Sequence, residues 1–301
     1  MGVAAAFPGV DVALAVSQHQ ARVCWHHGAP FGDRDAVAHR RFKASALDRP
    51  QGRIDELVGH VGREHFDVLN PARGAASPRA ATLWGARLGT PATGFLARSA
   101  QGSSSPPPIH NVTYRAVVID GYIHNDDPAA QPHWMGAGSF WTQPRGEVHI
   151  TAASAAHNLA LVEIDHGPYR VQPPTQAYDN GERAINVDAA NVVWVPVAEE
   201  AGVARAYLWG RFEDGQVNGS FVRLPAGFQG HIEARGAVFH AVVIKGAVQH
   251  HAASVPRLLP GSYFGSDDVA RHVITAASDQ PSVLYIRSNG EYQVKHGQIP
   301  E

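Results

Sequence analysis

The chain has 301 residues, of which 44% are hydrophobic and 17% charged, with a formal net charge of −2; this is enough for one large core or two ordinary domains and excludes disorder throughout. Both charge signs are spread along the chain, so no basic face marks it for nucleic acid or an anionic membrane. The single cysteine, Cys24, excludes an internal disulfide framework and a cysteine-built zinc site, and no apolar run reaches the ~18–20 residues of a membrane helix.

The opening "MGVAAAFPGVDVALAV" lacks a basic start and carries Pro8 and Asp11, a poor signal peptide, so a cytoplasmic protein is expected. Residues 1–64 have no clean period and read as a poorly ordered extension. Within it, "RIDELVGHVGREHF" suits one short helix, and "CWHH" (Cys24 to His27) reads as solvent-facing rather than metal-binding.

From residue 65 onward the pattern changes. "ATLWGARL", "TGFLAR", "NVTYRAVVIDG" and "LALVEI" alternate apolar and polar residues between Gly, Pro, Asn and Asp breaks, which is the signature of short antiparallel strands. After "VQPPTQAYDNGERAINVDA", which reads as a linker, the pattern returns in "VVWVPV", "ARAYLWGRF", "GSFVRL" and "SVLYIRS". The two halves repeat each other. "LWG" stands at 83–85 and 208–210, and "AVVIDG" at 116–121 returns as "AVVIKG" at 241–246. "GSFW" at 138–141 returns as "GSYF" at 261–264 after a two-residue slip, His149 returns as His272, and "ITAAS" at 150–154 is repeated at 274–278. The expected organisation is therefore an extension (1–64), a first β unit (65–172), a linker (173–189) and a second β unit (190–297).

Chemistry concentrates in "GSSSPPPIHNVTYRAVVIDG", Gly102 to Gly121. Five residues separate Gly102 from Pro108; His110, Tyr114 and Gly121 follow, and Pro144, Gly146 and His149 lie further on. This frame resembles the two motifs of the cupin superfamily, glycine–five residues–His-x-His–three or four residues–Glu–six residues–glycine and Pro-x-Gly-x-x-His. The phrases "HNVTYRAVVIDG", "HNDDP" and "GSFWTQPRGEVHITA" also resemble a bacterial double-cupin family related to the cupin domain of ChrR-type anti-sigma factors. The resemblance covers residues 65–297. It implies an all-β fold of two tandem jelly-roll-like barrels formed by duplication, with homo-oligomers expected by analogy.

The resemblance further implies that positions 108, 110 and 114, with His149 from a distant strand, would hold one divalent metal. In an extended strand 108, 110, 112 and 114 share a face. Pro108 has no donor atom, and a neutral phenol at Tyr114 is a poor ligand unless deprotonated. Glu147, two residues before His149, is the expected third ligand, with His124 and His133 near the barrel mouth as further candidates. Trp141 is a candidate pocket wall. Two readings of His110 and His149 stay open: ligands of Fe, Zn, Mn or Ni, or members of a vestigial pocket bonded to Tyr114 and Glu147 and holding no metal.

Carried into the second half, the frame falls on Glu233, Arg235, Phe239 and His272. Metal is not expected there; Arg235 would either grip a carboxylate on a small molecule or pair with Glu233. His231 and His240 have no recommending spacing, and Trp84, Trp134 and Trp209 read as core. Asn111 and Asn218 open glycosylation-type triplets of the kind common by chance. Two function classes follow for a small-molecule ligand: a metal-dependent dioxygenase acting on a small organic acid or diketone, with Tyr114 orienting substrate or donating a proton, and a non-catalytic binding or sensing module.

Overall fold

A computed structural model describes residues 66–252 and 257–297. The extension, Cys24 to His27 and, but for Phe66, the helix read over 53–66 lie outside them. The described residues form an all-β structure in which every strand pairing is antiparallel, as the alternating runs require. No helix among them is long and apolar enough to cross a membrane.

In the first half a seven-stranded sheet runs Asp67–Val68, Arg79–Trp84, Thr93–Arg98, Leu159–Ile164, Tyr114–Asp120, Phe140–Gln143 and Ile185–Val187. Two short pairs complete the first barrel, Ile123–Asp126 with Ile150–Ala153 and Ile109–His110 with Val171–Gln172. In the second half a six-stranded sheet runs Val195–Pro196, Ala204–Gly210, Asn218–Leu224, Ser282–Ser288, Phe239–Lys245 and Tyr263–Ser266. A four-stranded sheet of Val248–His250, Ala270–Ala276, Gln229–Ala234 and Tyr292–His296 completes the second barrel. Equivalent strands occur in the same order in both halves, so the sequence repeat is a structural duplication. The stretch that reads as a linker lies along the first barrel: Ile185–Val187 adds to its sheet edge, and the Tyr178 N–H donates to the Gly146 carbonyl.

The alternation of each large sheet builds two cores at once. Tyr114, Ala116 and Val118 face inward, with Phe95, Trp141 and Ile164 around them. Val117 and Ile119 face outward and meet Val242, Ile244 and Tyr285 of the second half. Phe239, Ala241 and Val243 line the interior of the second barrel. The barrels thus pack large sheet against large sheet, inside a single compact unit.

The repeated "LWG" belongs to this shared face. Trp84 stacks on His240 with ring centroids 4.5 Å apart, while Trp209 lies 3.7 Å from the Arg115 guanidinium. Each half therefore offers its tryptophan to the equivalent strand position of the other. Each indole also needs a bare backbone beside it: a Cβ on Gly94 would lie 2.1 Å from Trp84, and one on Gly219 would lie 1.9 Å from Trp209. Gly94→Ala is expected to cost about 1–3 kcal/mol through this overlap. Gly219→Ala should cost less, because Trp209 is only partly buried. Urea unfolding of both variants checks this; unchanged midpoints would show that the indoles shift freely.

Candidate functional site

The first barrel brings His110, Tyr114 and His149 together. His110 ends the short strand Ile109–His110, Tyr114 opens the strand Tyr114–Asp120, and His149 immediately precedes Ile150–Ala153. All three are buried. The ring centroids of His110 and His149 are 5.0 Å apart, and Tyr114 lies 5.3 Å from His110 and 5.9 Å from His149. Pro108 is buried as well, and its carbonyl accepts the His149 backbone N–H at 3.2 Å. Trp141 is fully buried in the pocket wall, with its side chain against the Tyr114 hydroxyl.

Hydrogen bonds fix both imidazoles in one tautomer. His110 Nδ1 faces the Arg170 carbonyl at 3.2 Å and His149 Nδ1 faces the Glu147 carbonyl at 3.3 Å, so each Nδ1 carries the proton and each Nε2 presents a lone pair. The Tyr169 hydroxyl lies 3.2 Å from His110 Nε2, and the Tyr114 hydroxyl lies 3.4 Å from His149 Nε2. The Tyr114 O–H, however, donates to Asn125 Oδ1 at 2.8 Å. That oxygen also accepts from Thr151, and Asn125 Nδ2 donates to Gln143 Oε1. The His149 lone pair therefore faces a hydroxyl oxygen whose proton is committed elsewhere.

Burial keeps the whole group neutral. Desolvation, helped by the neighbouring His149, lowers His110 to about 3, and desolvation lowers His149 to about 4. The same burial pushes the Tyr114 phenol up to about 12 and the Tyr169 phenol well above its ordinary value.

Three expectations are corrected. Glu147 is exposed, and what it offers His149 is its main-chain carbonyl, with the carboxylate left at the surface. His133 pairs with Asp188 at the surface, and His124 faces that loop rather than the His110–His149 pocket. Among the described residues no three of His, Cys, Asp and Glu come together. In the second barrel Glu233 and Arg235 do not face the interior. Gln229–Ala234 pairs without interruption on both sides, which turns Ile232 and Ala234 into the core. Glu233 instead binds His231 and Lys295, and Arg235 is exposed. A one-residue change of register moves every side chain to the other face. His272 is where the frame puts it, fully buried and bonded to His250 and Ser266.

Tyr169 is the pocket residue that spacing does not reveal. Its ring stacks on His110 at 4.5 Å and 17°. A signal is nevertheless present: "GPYRV" at 167–171 matches "GEYQV" at 290–294. The duplicated Tyr292 packs edge-on against Phe239 at 5.9 Å as Tyr169 does against Tyr114 at 6.1 Å.

The chain belongs to the family described as "Domain of unknown function (DUF4437)", whose model matches residues 58–295. No curated protein matches it by sequence. Among solved structures it is similar to a candidate dioxygenase from Nostoc punctiforme, with 11% identity, 81% of this chain and 85% of that chain covered, and a TM-score of 0.58. It is similar also to vicilin from Corylus avellana, at 11% identity, 78% and 86% coverage and a TM-score of 0.51. A third is the salicylate 1,2-dioxygenase of Pseudaminobacter salicylatoxidans, at 13% identity, 72% and 80% coverage and a TM-score of 0.50. At these identities the likeness establishes the fold, two tandem cupin-type barrels, and leaves activity to the site.

Proposed function

We propose that the first barrel is a metal-binding pocket in which His110 and His149 hold a first-row transition-metal ion, with Tyr114 as a neighbouring donor. The observation that carries this reading is the orientation of the two imidazoles. Both are pinned through Nδ1–H to main-chain carbonyls, the outer support that metal-bound histidines characteristically have, and both are buried side by side with each Nε2 facing a phenol hydroxyl. Imidazole suits iron, zinc and nickel. No third His, Cys, Asp or Glu is at hand among the described residues, and the side-chain oxygen beside His149 Nε2 is the Tyr114 phenol, at 3.4 Å.

Such an ion would supply Lewis-acid binding of oxygen and of a small organic acid or diketone, the dioxygenase chemistry named for two of the similar structures. The chain's own side chains would shape that site. Asn125, Gln143 and Thr151 fix the Tyr114 hydroxyl, and the Trp141 side chain lies against it.

Metal content tests the reading. Purified protein reconstituted with Fe, Zn, Mn or Ni is expected to hold about one ion per chain, and the His110→Ala/His149→Ala variant none. Equal metal in both proteins would sink it. A second reading, a non-catalytic binding or sensing module, is favoured by the closure of Tyr169–His110 and Tyr114–Asn125–Gln143 on themselves. Oxygen uptake by the iron-loaded protein with a panel of organic acids and diketones separates the two.

A further inference from the structure

The cupin frame leaves one ligand place empty, because Pro108 has no donor. The geometry points to Tyr169 as the side chain that fills this place, completing with His110, His149 and Tyr114 a two-imidazole, two-phenolate set selective for ferric iron. The inference rests on the metal-binding reading above and deepens it.

Strand pairing explains how Tyr169 arrives. Val171 is the register partner of His110, and just ahead of it the Arg170 carbonyl meets His110 Nδ1, which leaves the Tyr169 ring lying on the imidazole. Its ring lies nearly parallel to the imidazole, which puts the hydroxyl and Nε2 at the same end of the stack. Two atoms bound to one ion by bonds of about 2.0–2.1 Å at a tetrahedral angle stand about 3.3 Å apart. The two imidazole–phenol separations are 3.2 and 3.4 Å. The shorter is at the long end of the nitrogen–oxygen hydrogen-bond range of about 2.7–3.2 Å, and the longer one lacks a bridging proton because Tyr114 donates to Asn125. Two imidazole–phenol pairs spaced as co-ligands therefore lie beside each other, the imidazole centroids 5.0 Å and the phenol centroids 6.1 Å apart.

The donor types then choose the ion. On ligation each phenol releases its proton to solvent, as metal ligands must, while the imidazoles keep Nδ1–H and remain neutral. The set carries two negative charges on hard oxygen atoms, which favours a trivalent ion, and iron is the metal suited to imidazole that has a common trivalent state.

The test uses the full chain, stripped of metal and loaded with Fe(III) supplied as its nitrilotriacetate complex. Iron per chain, the visible phenolate-to-iron charge-transfer band and phenolate modes in resonance Raman spectra are read. Wild type is expected to take up about one iron and become coloured. Tyr169→Phe, which keeps the stacked ring, should lose about half the band and bind iron tenfold or more weaker. Tyr114→Phe/Tyr169→Phe should lose the band altogether, and Tyr169→His should keep iron with a reduced band. Tyr169→Phe with an undiminished band and affinity would overturn the inference and leave the metal-binding reading standing. Uptake of Zn(II) but not Fe(III), or colourless iron, would do the same. Absence of every tested metal from wild type would overturn both.

Discussion

Arg287→Met is expected to cost about 3–5 kcal/mol, the penalty for leaving a buried charge without its partner. Glu163 is 1% exposed and lies on the face between the barrels, where its Oε1 meets Arg287 Nη1 at 3.2 Å and Arg115 Nη1 at 3.8 Å. The Tyr285 hydroxyl is a further neighbour that helps hold the carboxyl down. Burial raises the Glu163 carboxyl even with two guanidiniums beside it. Asp165, which is more exposed, is held low by Arg115 and Arg287 although burial opposes them. With Arg287 gone, the carboxylate would keep the longer Arg115 contact and the neighbouring Tyr285 hydroxyl.

A double variant distinguishes a net contribution from a mere penalty. Replacing a buried ion pair by apolar groups of similar volume is often neutral or stabilising. Glu163→Met/Arg287→Met should therefore recover most of what Arg287→Met loses, with a coupling of about 2–3 kcal/mol in the double-mutant cycle. Denaturant unfolding of the four proteins gives the cycle. A loss below about 1 kcal/mol in Arg287→Met would show that water or Arg115 already satisfies Glu163. The pair has a structural logic. Arg115 faces Glu163 in one sheet and His240 faces Arg287 in the other, so Glu163 and Arg287 occupy equivalent positions of the duplicated unit. Two copies of either residue would set like charges against each other; their divergence turns that contact into an attraction. Divergence has thus made the two halves complementary rather than interchangeable.

The strands and the duplication are legible in the sequence because period-two alternation and repeated phrases survive divergence. For the same reason spacing puts His110 and Tyr114 on one face, since a strand leaves little freedom in which face a residue takes, while His149 joins them only through the resemblance to the cupin motifs. Spacing misleads where main-chain continuity, not side-chain type, decides. The prolines before His110 interrupt the first strand, whereas the second strand runs unbroken to Ala234, so the same count of residues lands on opposite faces and expels Glu233 and Arg235. Glu147 attracts notice by its carboxylate, while the turn uses its carbonyl. Tyr169 lies 59 residues from His110, beyond any local spacing, and only comparison of the two halves carries a trace of it.

Metal-free protein should lose stability steeply as the pH falls below about 6.5. Three histidines are held neutral by burial: His110 at about 3, His149 at about 4 and His240 at about 3. His240 is stacked on Trp84, bonded to Tyr263 through Nδ1 at 2.8 Å and further depressed by Arg287. Above pH 6.5 these groups are neutral in both the folded and the unfolded chain and affect nothing. Between 6.5 and about 4 the unfolded chain binds protons that the folded chain refuses, so stability falls with each proton taken up. Three such groups give a slope of up to about 4 kcal/mol per pH unit, against a total of ~5–15 kcal/mol for a typical domain. Glu163, whose carboxyl is raised in the folded state, opposes this and returns a fraction. The expected loss between pH 7 and pH 5 is several kcal/mol, measured as the shift in urea midpoint across that range. His110→Gln/His149→Gln should flatten the dependence by close to two protons, leaving the part due to His240. If the variant kept the wild-type slope, the two pocket histidines would be protonated in the folded state, and the neutral lone pairs that make the pocket fit for a metal would not exist at that pH.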